Sequence, residues 1–182
     1  MVKLVNFKEV FNMKVSVPTS NGLLLDKYGK YASNDEVYNG HPAISFPVKI
    51  ADVPKTAKTI ALTLLDFDSV PVCGFAWIHW TAINIPAAST IDIPENASRQ
   101  GDISMVQGNN STAGPLIGET DPLTTGHYIG PTPPDKTHDY WLSIYALDTE
   151  LNLKEGFWLN EFYHAAKGHI IEKQRLSILS RA

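Results

Sequence analysis

Two neighbouring segments, residues 59–66 and 75–85, constrain the fold most, because apolar side chains alternate along both in the manner of β-strands. Both faces of the first segment are largely apolar, with Ile60, Leu62 and Leu64 on one side and Ala61, Thr63 and Leu65 on the other. We therefore expect residues 59–66 to form a central strand, and residues 75–85 to form a second strand that ends at Pro86.

Other patterns predict further strands and one helix. Residues 141–147 alternate as a third strand and residues 169–179 as a last one, and short extended pieces are expected within residues 3–17, 23–25 and 43–48. Residues 157–167 carry apolar side chains at helical spacing, and Gly168 is placed to end that helix in a left-handed conformation.

Three segments are typical of irregular structure. Residues 33–40 have the composition of a loop, and residues 52–57 that of a turn. Residues 87–125 are polar and show little periodicity, so we expect a functional or partly disordered loop, within which a strand could still be hidden.

Length and charge bound the function classes. With 182 residues the chain is expected to form a single domain over residues 1–182, mainly of β-structure, because it has 12 glycines and 12 prolines. The net charge of −4 lacks the basic excess of a nucleic-acid-binding protein, so no nucleic-acid partner is expected.

Location is inferred from what the sequence does not contain. Cys73 is the one cysteine, so no internal disulfide can form. No stretch approaches the ~20 apolar residues of a membrane span, and the first residues have no sustained apolar core. We expect a cytoplasmic protein that does not span a membrane.

Asp66 and Asp68 follow the central strand and are the first candidate site residues. Residues two apart on a strand share a face, so the two carboxylates are expected to lie side by side. Because like charges repel, ionising both costs free energy unless hydrogen-bond donors surround them. The alternative is that both are turn residues that accept backbone N–H bonds.

His79 lies within the second strand, between Ile78 and Trp80. A histidine held near a carboxylate keeps one tautomer and presents its other nitrogen outward, which suits the binding of an oxyanion. The alternative is a core histidine that is satisfied by one backbone partner.

Residues 130–134 contain three prolines and precede His138 and Tyr140, which share a strand face. The prolines stiffen this loop, and Gly130 permits either a close approach or a positive φ. His138 and Tyr140 have donors for a phosphate oxygen. An ordinary proline-rich turn before a strand explains the pattern equally well.

Other reactive residues give weaker signals. Nothing basic flanks Cys73, which is interpreted as a packing or loop cysteine. The remaining histidines lack the spacing of metal ligands, and no motif for a metal or nucleotide cofactor is present, so none is expected. Those histidines are His41, His127, His164 and His169.

In their order and approximate spacing, these motifs resemble those of the phosphatidylethanolamine-binding protein family, also called Raf kinase inhibitor-like proteins, and of its bacterial branch above all. That family carries D-x-D-x-P, then a His-Trp pair, then G-x-x-P-P followed by H-x-Y. The matching residues are Asp66-Phe67-Asp68-Ser69-Val70-Pro71, His79-Trp80, Gly130-Pro131-Thr132-Pro133-Pro134 and His138-Asp139-Tyr140. The resemblance covers most of the chain from about residue 60 onward.

The resemblance implies an antiparallel β-sandwich with a few short helices, one of them near the C-terminus. It also implies a pocket for phosphate-type anions, including phospholipid headgroups, in a protein that is not an enzyme. The family pattern places Asp66, Asp68, His79, His138 and Tyr140 in the pocket, with Gly130, Pro131 and Pro134 as its wall. A kinase or other signalling protein as partner, and a homodimer, are further implications of the resemblance.

Two departures from the family pattern affect these expectations. One extra residue separates Asp68 from Pro71, and Asp139 stands where the family usually has arginine, which should weaken the long-range attraction for phosphate. Two alternatives to anion binding remain open. Two Asp and two His suffice for a small hydrolase with metal-dependent or acid–base chemistry; or the pocket is vestigial and the protein acts through its surface.

Overall fold

Strands dominate the computed structural model, which describes residues 13–182. The strands are β1 (Lys14–Ser16), β2 (Thr19–Ser20), β3 (Leu23–Leu24), β4 (Val37–Tyr38), β5 (His41–Pro42), β6 (Val48–Ala51), β7 (Thr59–Asp66), β8 (Trp77–Pro86), β9 (Thr90–Ile93), β10 (Val106–Gln107), β11 (His138–Leu147) and β12 (Ile170–Ser180). The α-helices are α1 (Val70–Cys73), α2 (Ala97–Gln100), α3 (Pro122–Thr125) and α4 (Leu159–Ala166). Short 3-10 turns are formed by Asp26–Tyr28, Asn34–Glu36 and Ser111–Ala113.

The described strands form one large and two small sheets. The large sheet has the order β10-β8-β7-β11-β12-β3-β2, and β1-β6-β9 form a three-stranded sheet beside it. All pairs are antiparallel except β12 with β3, which meet in parallel at Leu179 and Leu23. The predicted fold class, mainly β with short helices and one helix near the C-terminus, is confirmed.

β7 is central, as its two apolar faces predict. It pairs with β8 on one side and β11 on the other, and every one of its residues is buried. One face packs with Val48 and Ile50 of the small sheet. On the other face, Ala61 belongs to a second cluster that contains Tyr145 of β11 and Phe162 of α4. Burying each large apolar side chain contributes roughly 1.5–3 kcal/mol, which fixes β7 in place.

Other elements match their predictions less closely. The predicted helix is found as α4, and Gly168 after it has a φ of +84°. Residues 33–40 are not simply a loop, because they contain a 3-10 turn and β4. Of the extended piece predicted at 43–48, only Val48 lies in a strand. The early strand is found as β1, and the rest of residues 3–17 up to residue 12 lies outside the described residues.

Residues 87–125 contain more structure than their sequence predicts: β9, α2, β10 and α3. These elements are only two to four residues long, and buried polar side chains hold them. Gln107, for example, accepts hydrogen bonds from Ser98 and from the indole of Trp80, at 2.6 and 2.9 Å. Such a polar core leaves no apolar periodicity to detect.

No helix within residues 13–182 has the length and apolar character needed to cross a membrane.

Candidate functional site

A cavity of about 250 Å³ lies where the end of β7 meets the starts of β8 and β11. The strand registers explain this meeting, because Asp66 pairs with Trp77 on one side and with Tyr140 on the other. Six of the eight predicted site residues line the cavity: Asp66, His79, Gly130, Pro134, His138 and Tyr140. The two distant motifs of the sequence therefore come together in the fold.

Asp68 and Pro131 do not line the cavity. β7 ends at Asp66, so Asp68 lies in the following turn, and its carboxylate accepts a hydrogen bond from the backbone N–H of Asp139 at 2.9 Å. The expectation that the two carboxylates share one strand face is therefore wrong. Pro131 is buried behind the wall, beside Gly29.

The imidazole of His138 bridges the carboxylates of Asp66 and Asp135. The Nδ1 and Nε2 atoms of His138 each lie 2.8 Å from a carboxylate oxygen, of Asp66 and Asp135 respectively. Ionised carboxylates only accept hydrogen bonds, so both ring nitrogens must donate and the ring is an imidazolium. Burial lowers the pKa of His138, but its bonds to the two carboxylates outweigh burial and raise it overall.

His138 consequently has no free nitrogen for a ligand in this arrangement. Its side chain is 1% exposed, as is expected for a charged group enclosed by its partners. Asp135 is different, because half of its side chain is exposed. A ligand that reached the His138 Nε2 atom would first have to displace Asp135.

His79 is neutral and keeps one nitrogen unpaired. Its Nδ1 atom lies 2.9 Å from the carbonyl oxygen of Ile129, and since a carbonyl only accepts, Nδ1 carries the proton. Burial lowers the pKa of His79 to about 4, although the Ile129 bond and the charge of Asp66 act in the opposite direction. Within residues 13–182 the Nε2 atom has no hydrogen-bond partner, so its lone pair is available to the cavity.

Tyr140 packs between the two histidines. Its ring lies edge-on to His79, with 5.1 Å between ring centroids, and 6.2 Å from the ring of His138. Burial, and then the negative charge of Asp66, raise the pKa of the phenol. Tyr140 therefore stays protonated, and its phenol O–H donates to the Asp66 carboxylate, so a ligand oxygen competes with Asp66 for this donor.

Ser69 fixes the position of Asp66 and of the turn after it. Its backbone N–H donates to the Asp66 carboxylate at 3.1 Å, and its hydroxyl lies 2.7 Å from the Asp66 carbonyl oxygen. The same hydroxyl accepts from the backbone N–H of Trp77 at 3.0 Å, which ties the turn to the start of β8. The Asp66 carboxylate is therefore held rigidly at the cavity.

Gly130 is needed for a close approach rather than for a positive φ. Its N–H donates to the Pro42 carbonyl at 2.8 Å, and a Cβ built on it would lie 2.3 Å from the Tyr28 carbonyl oxygen. The proline loop after it is held from the other side by the Lys30 ammonium, which donates to the Pro133 carbonyl at 2.9 Å. The wall of the cavity is thus anchored at both ends.

We expect Gly130→Ala to lower the free energy of unfolding by about 2 kcal/mol, because the added methyl forces the backbone of the wall away from Tyr28. Urea denaturation measures this change. Gly114→Ala is the control, since its Cβ meets only the Ser111 carbonyl at 3.3 Å and its φ is −65°. The control should change stability by less than about 1 kcal/mol. Equal effects of the two substitutions would contradict a tight contact at Gly130.

Several lining residues were not predicted to belong to the site: His41, Ser69, Cys73, Trp77 and Ile129. His41 lies on β5, which the Gly130–Pro42 hydrogen bond brings to the cavity. Cys73 is exposed, and its thiol lies 3.3 Å from the carbonyl oxygens of Ser69 and Phe75. Of these residues, only Ser69 lies within one of the motifs identified in the sequence, the aspartate motif.

The charge of the cavity comes from titratable groups. Its lining contains three histidines and one aspartate, and no lysine or arginine. Within residues 13–182, His, Cys, Asp and Glu side chains nowhere form a group of three arranged to hold a metal ion. Any positive charge offered to an anion in this cavity must therefore come from an imidazole.

Comparisons with known proteins agree on one family. The family model described as phosphatidylethanolamine-binding protein matches residues 14–181. The uncharacterized protein YxkA of Bacillus subtilis is 51% identical over 162 residues, which cover 89% of this chain and 96% of that protein. Protein YbcL of Escherichia coli is 31% identical over 142 residues, covering 72% of this chain and 68% of YbcL.

Solved structures show the same fold. A Chlamydia trachomatis protein described as a phosphatidylethanolamine-binding protein homolog superposes with a TM-score of 0.70 at 30% identity, covering 93% of this chain and 97% of that one. Escherichia coli YbcL superposes with a TM-score of 0.71 at 21% identity, over 93% and 98% of the two chains, and shows the fold alone. With the family model matching nearly all described residues, the chain belongs to the phosphatidylethanolamine-binding protein family.

Proposed function

We propose that this protein is a non-enzymatic binding protein whose cavity takes phosphate-type anions, including the headgroups of phospholipids. One observation carries the proposal: the buried His79 presents an unpaired Nε2 atom to a cavity that also holds the phenol of Tyr140. An imidazole N–H and a phenol O–H are donors of the kind that bind phosphate oxygens.

Anion binding at this site requires proton uptake. In the free protein His79 Nε2 is an acceptor, because burial holds the pKa of the ring at about 4. An oxyanion in the cavity favours the imidazolium, since an opposite charge close by raises the pKa of a histidine. Between the pKa values of the free and bound states, each complex gains one proton, so affinity falls by up to about tenfold per pH unit as pH rises.

An ammonium-phosphate headgroup also suits the charges around the cavity. Asp66 lies in the lining, and the half-exposed Asp135 pairs with the same imidazole, that of His138. Together the two carboxylates carry one more negative charge than the His138 imidazolium offsets. This excess attracts a ligand amine, while the phosphate of the ligand faces His79 and Tyr140. A phosphodiester with an attached amine is therefore the ligand class that we favour.

Glycerophosphoethanolamine tests the proposal, because its phosphodiester does not titrate near neutral pH. We expect calorimetry to show binding that is at least about tenfold tighter at about pH 5 than at about pH 7. His79→Asn should abolish binding, although the asparagine amide can still donate to the Ile129 carbonyl. His127→Asn is the matched control: His127 also bonds a backbone carbonyl, that of Pro122 at 3.2 Å, but lies outside the cavity lining.

Two results would speak against the proposal. Unchanged binding in His79→Asn would show that the probe binds elsewhere. Release of ethanolamine or glycerol from the probe, followed in the same samples, would favour the hydrolase over the binding protein.

The family resemblance supplies finer hypotheses that extend this proposal. They are regulation of a kinase or other signalling protein, a cytoplasmic location and a homodimer. Each stays a prediction.

A further inference from the structure

His41 is the one imidazole of the cavity lining whose ring has no hydrogen-bond partner within residues 13–182. It is half-buried on β5, where it pairs with Tyr38 of β4. His79 has one nitrogen fixed by Ile129, and both nitrogens of His138 are fixed by carboxylates. No hydrogen bond therefore fixes either ring nitrogen of His41.

Charge balance shows what this second imidazole can do. Among the lining residues, the charge of the His138 imidazolium is cancelled by that of Asp66, and no lysine or arginine lines the cavity. The second carboxylate partner of His138, Asp135, is half-exposed and lies outside the lining. Protonation of His79 alone matches an anion with one negative charge. An anion with two charges needs a second cation, and His41 is the remaining base of the lining.

Resting on the proposed function, we infer that His41 is a second anion-binding residue that lets the cavity accept dianionic tetrahedral oxyanions, such as phosphomonoesters and sulfate, with uptake of a second proton. Monoanionic diesters need only His79. His41 therefore sets the preference between two classes of ligand at the same site.

The neighbours of His41 are compatible with this role. Burial lowers the pKa of His41, which favours the neutral ring before a ligand arrives, whereas the charge of Glu119 acts in the opposite direction. His41 and His79 are close enough that the charge of His41 lowers the pKa of His79. Two protonated imidazoles side by side repel one another, and a dianion between them removes that repulsion. The charges of Asp66 and His138 also act on His79, where Asp66 raises the pKa and His138 lowers it.

Sulfate and methyl sulfate test the inference, because neither anion changes its charge between about pH 5 and pH 8, so every proton taken up is bound by the protein. Calorimetry of the wild-type protein in buffers with different ionisation enthalpies gives the number of protons bound. We expect about one more proton with sulfate than with methyl sulfate. Equal uptake for the two anions would overturn the role of His41.

His41→Asn provides the second arm. We expect it to weaken sulfate binding about tenfold or more and to remove the extra proton, while methyl sulfate binding changes less than about threefold. His127→Asn, outside the lining, should change neither. If His41→Asn weakens both anions equally, His41 does not discriminate between charge classes and the inference is wrong, although the proposed function stands when His79→Asn still abolishes binding. If neither anion binds the wild-type protein, both the inference about His41 and the proposed function are wrong.

Discussion

Asp66→Asn is expected to lower the free energy of unfolding by about 3 kcal/mol, within the range found when one partner of a buried ion pair is removed. The amide retains the size of the carboxylate and can still accept the Ser69 N–H, so the loss isolates the charge. The His138 imidazolium would then be left buried with the half-exposed Asp135 as its only carboxylate partner. Chemical denaturation at about pH 6 measures the change.

The pH dependence of this effect has a definite sign. The folded-state pKa of His138 is raised above the 6.5 of an unfolded histidine, so its ion pairs stabilise the fold fully below about pH 6.5. That stabilisation is lost as pH rises through the folded-state pKa. The difference between wild type and Asp66→Asn should therefore shrink from about pH 6 to about pH 9.

Asp135→Asn is the matched control, because it removes the other carboxylate of the same imidazole. Since half of the Asp135 side chain is exposed and its charge is screened by solvent, we expect a clearly smaller loss than that of Asp66→Asn. A loss as large as that of Asp66→Asn would contradict the assignment of Asp66 as the buried partner.

The second large effect is acid lability caused by His79. An unfolded histidine has a pKa of 6.5, and burial lowers the folded-state pKa of His79 to about 4. Between these values the unfolded chain binds one more proton than the folded one, so stability falls as pH falls. The full difference is about 3 kcal/mol, at 1.36 kcal/mol per pKa unit.

His79→Asn removes this dependence while retaining a donor to the Ile129 carbonyl. We therefore expect the decline in unfolding free energy from about pH 6.5 to pH 4 to be smaller in the variant, by about 3 kcal/mol. His127 is only half-buried and its pKa is also lowered by burial, so His127→Asn should remove a smaller part of the decline. Parallel pH curves for His79→Asn and wild type would show that His79 is not neutral in the fold.

The sequence predicts best what depends on apolar periodicity. β7 is found over the residues predicted for it, because a strand with two apolar faces is stable only where both faces are buried against other elements. The meeting of Asp66 with His138 follows, since Asp66 ends β7 and His138 begins the strand paired beside it. The family resemblance predicts that Gly130 belongs to the wall of the pocket. The structure explains why this residue is a glycine, since a Cβ there would clash with the Tyr28 carbonyl oxygen.

What depends on loop geometry could not be predicted. Asp68 was expected on the face of Asp66, but the hydrogen bond from the Ser69 N–H to Asp66 begins a turn there. Asp135 lies in a loop without periodicity, so nothing in the sequence indicates that its carboxylate accepts a hydrogen bond from the Nε2 atom of His138. His41 reaches the cavity only through the pairing of Pro42 with Gly130, a long-range contact that no local pattern records.

The protonation of His79 Nε2 in the presence of ligand is the most direct test of anion binding with proton uptake. Nitrogen-15 NMR follows both ring nitrogens from about pH 4 to pH 8, with and without glycerophosphoethanolamine. In the free protein we expect Nδ1 to carry the proton and Nε2 to stay unprotonated above about pH 4. With the ligand bound, Nε2 should become protonated and the pKa of the ring should rise by at least about one unit. An Nε2 atom that stays unprotonated at pH 5 with the cavity saturated would contradict the proposed function.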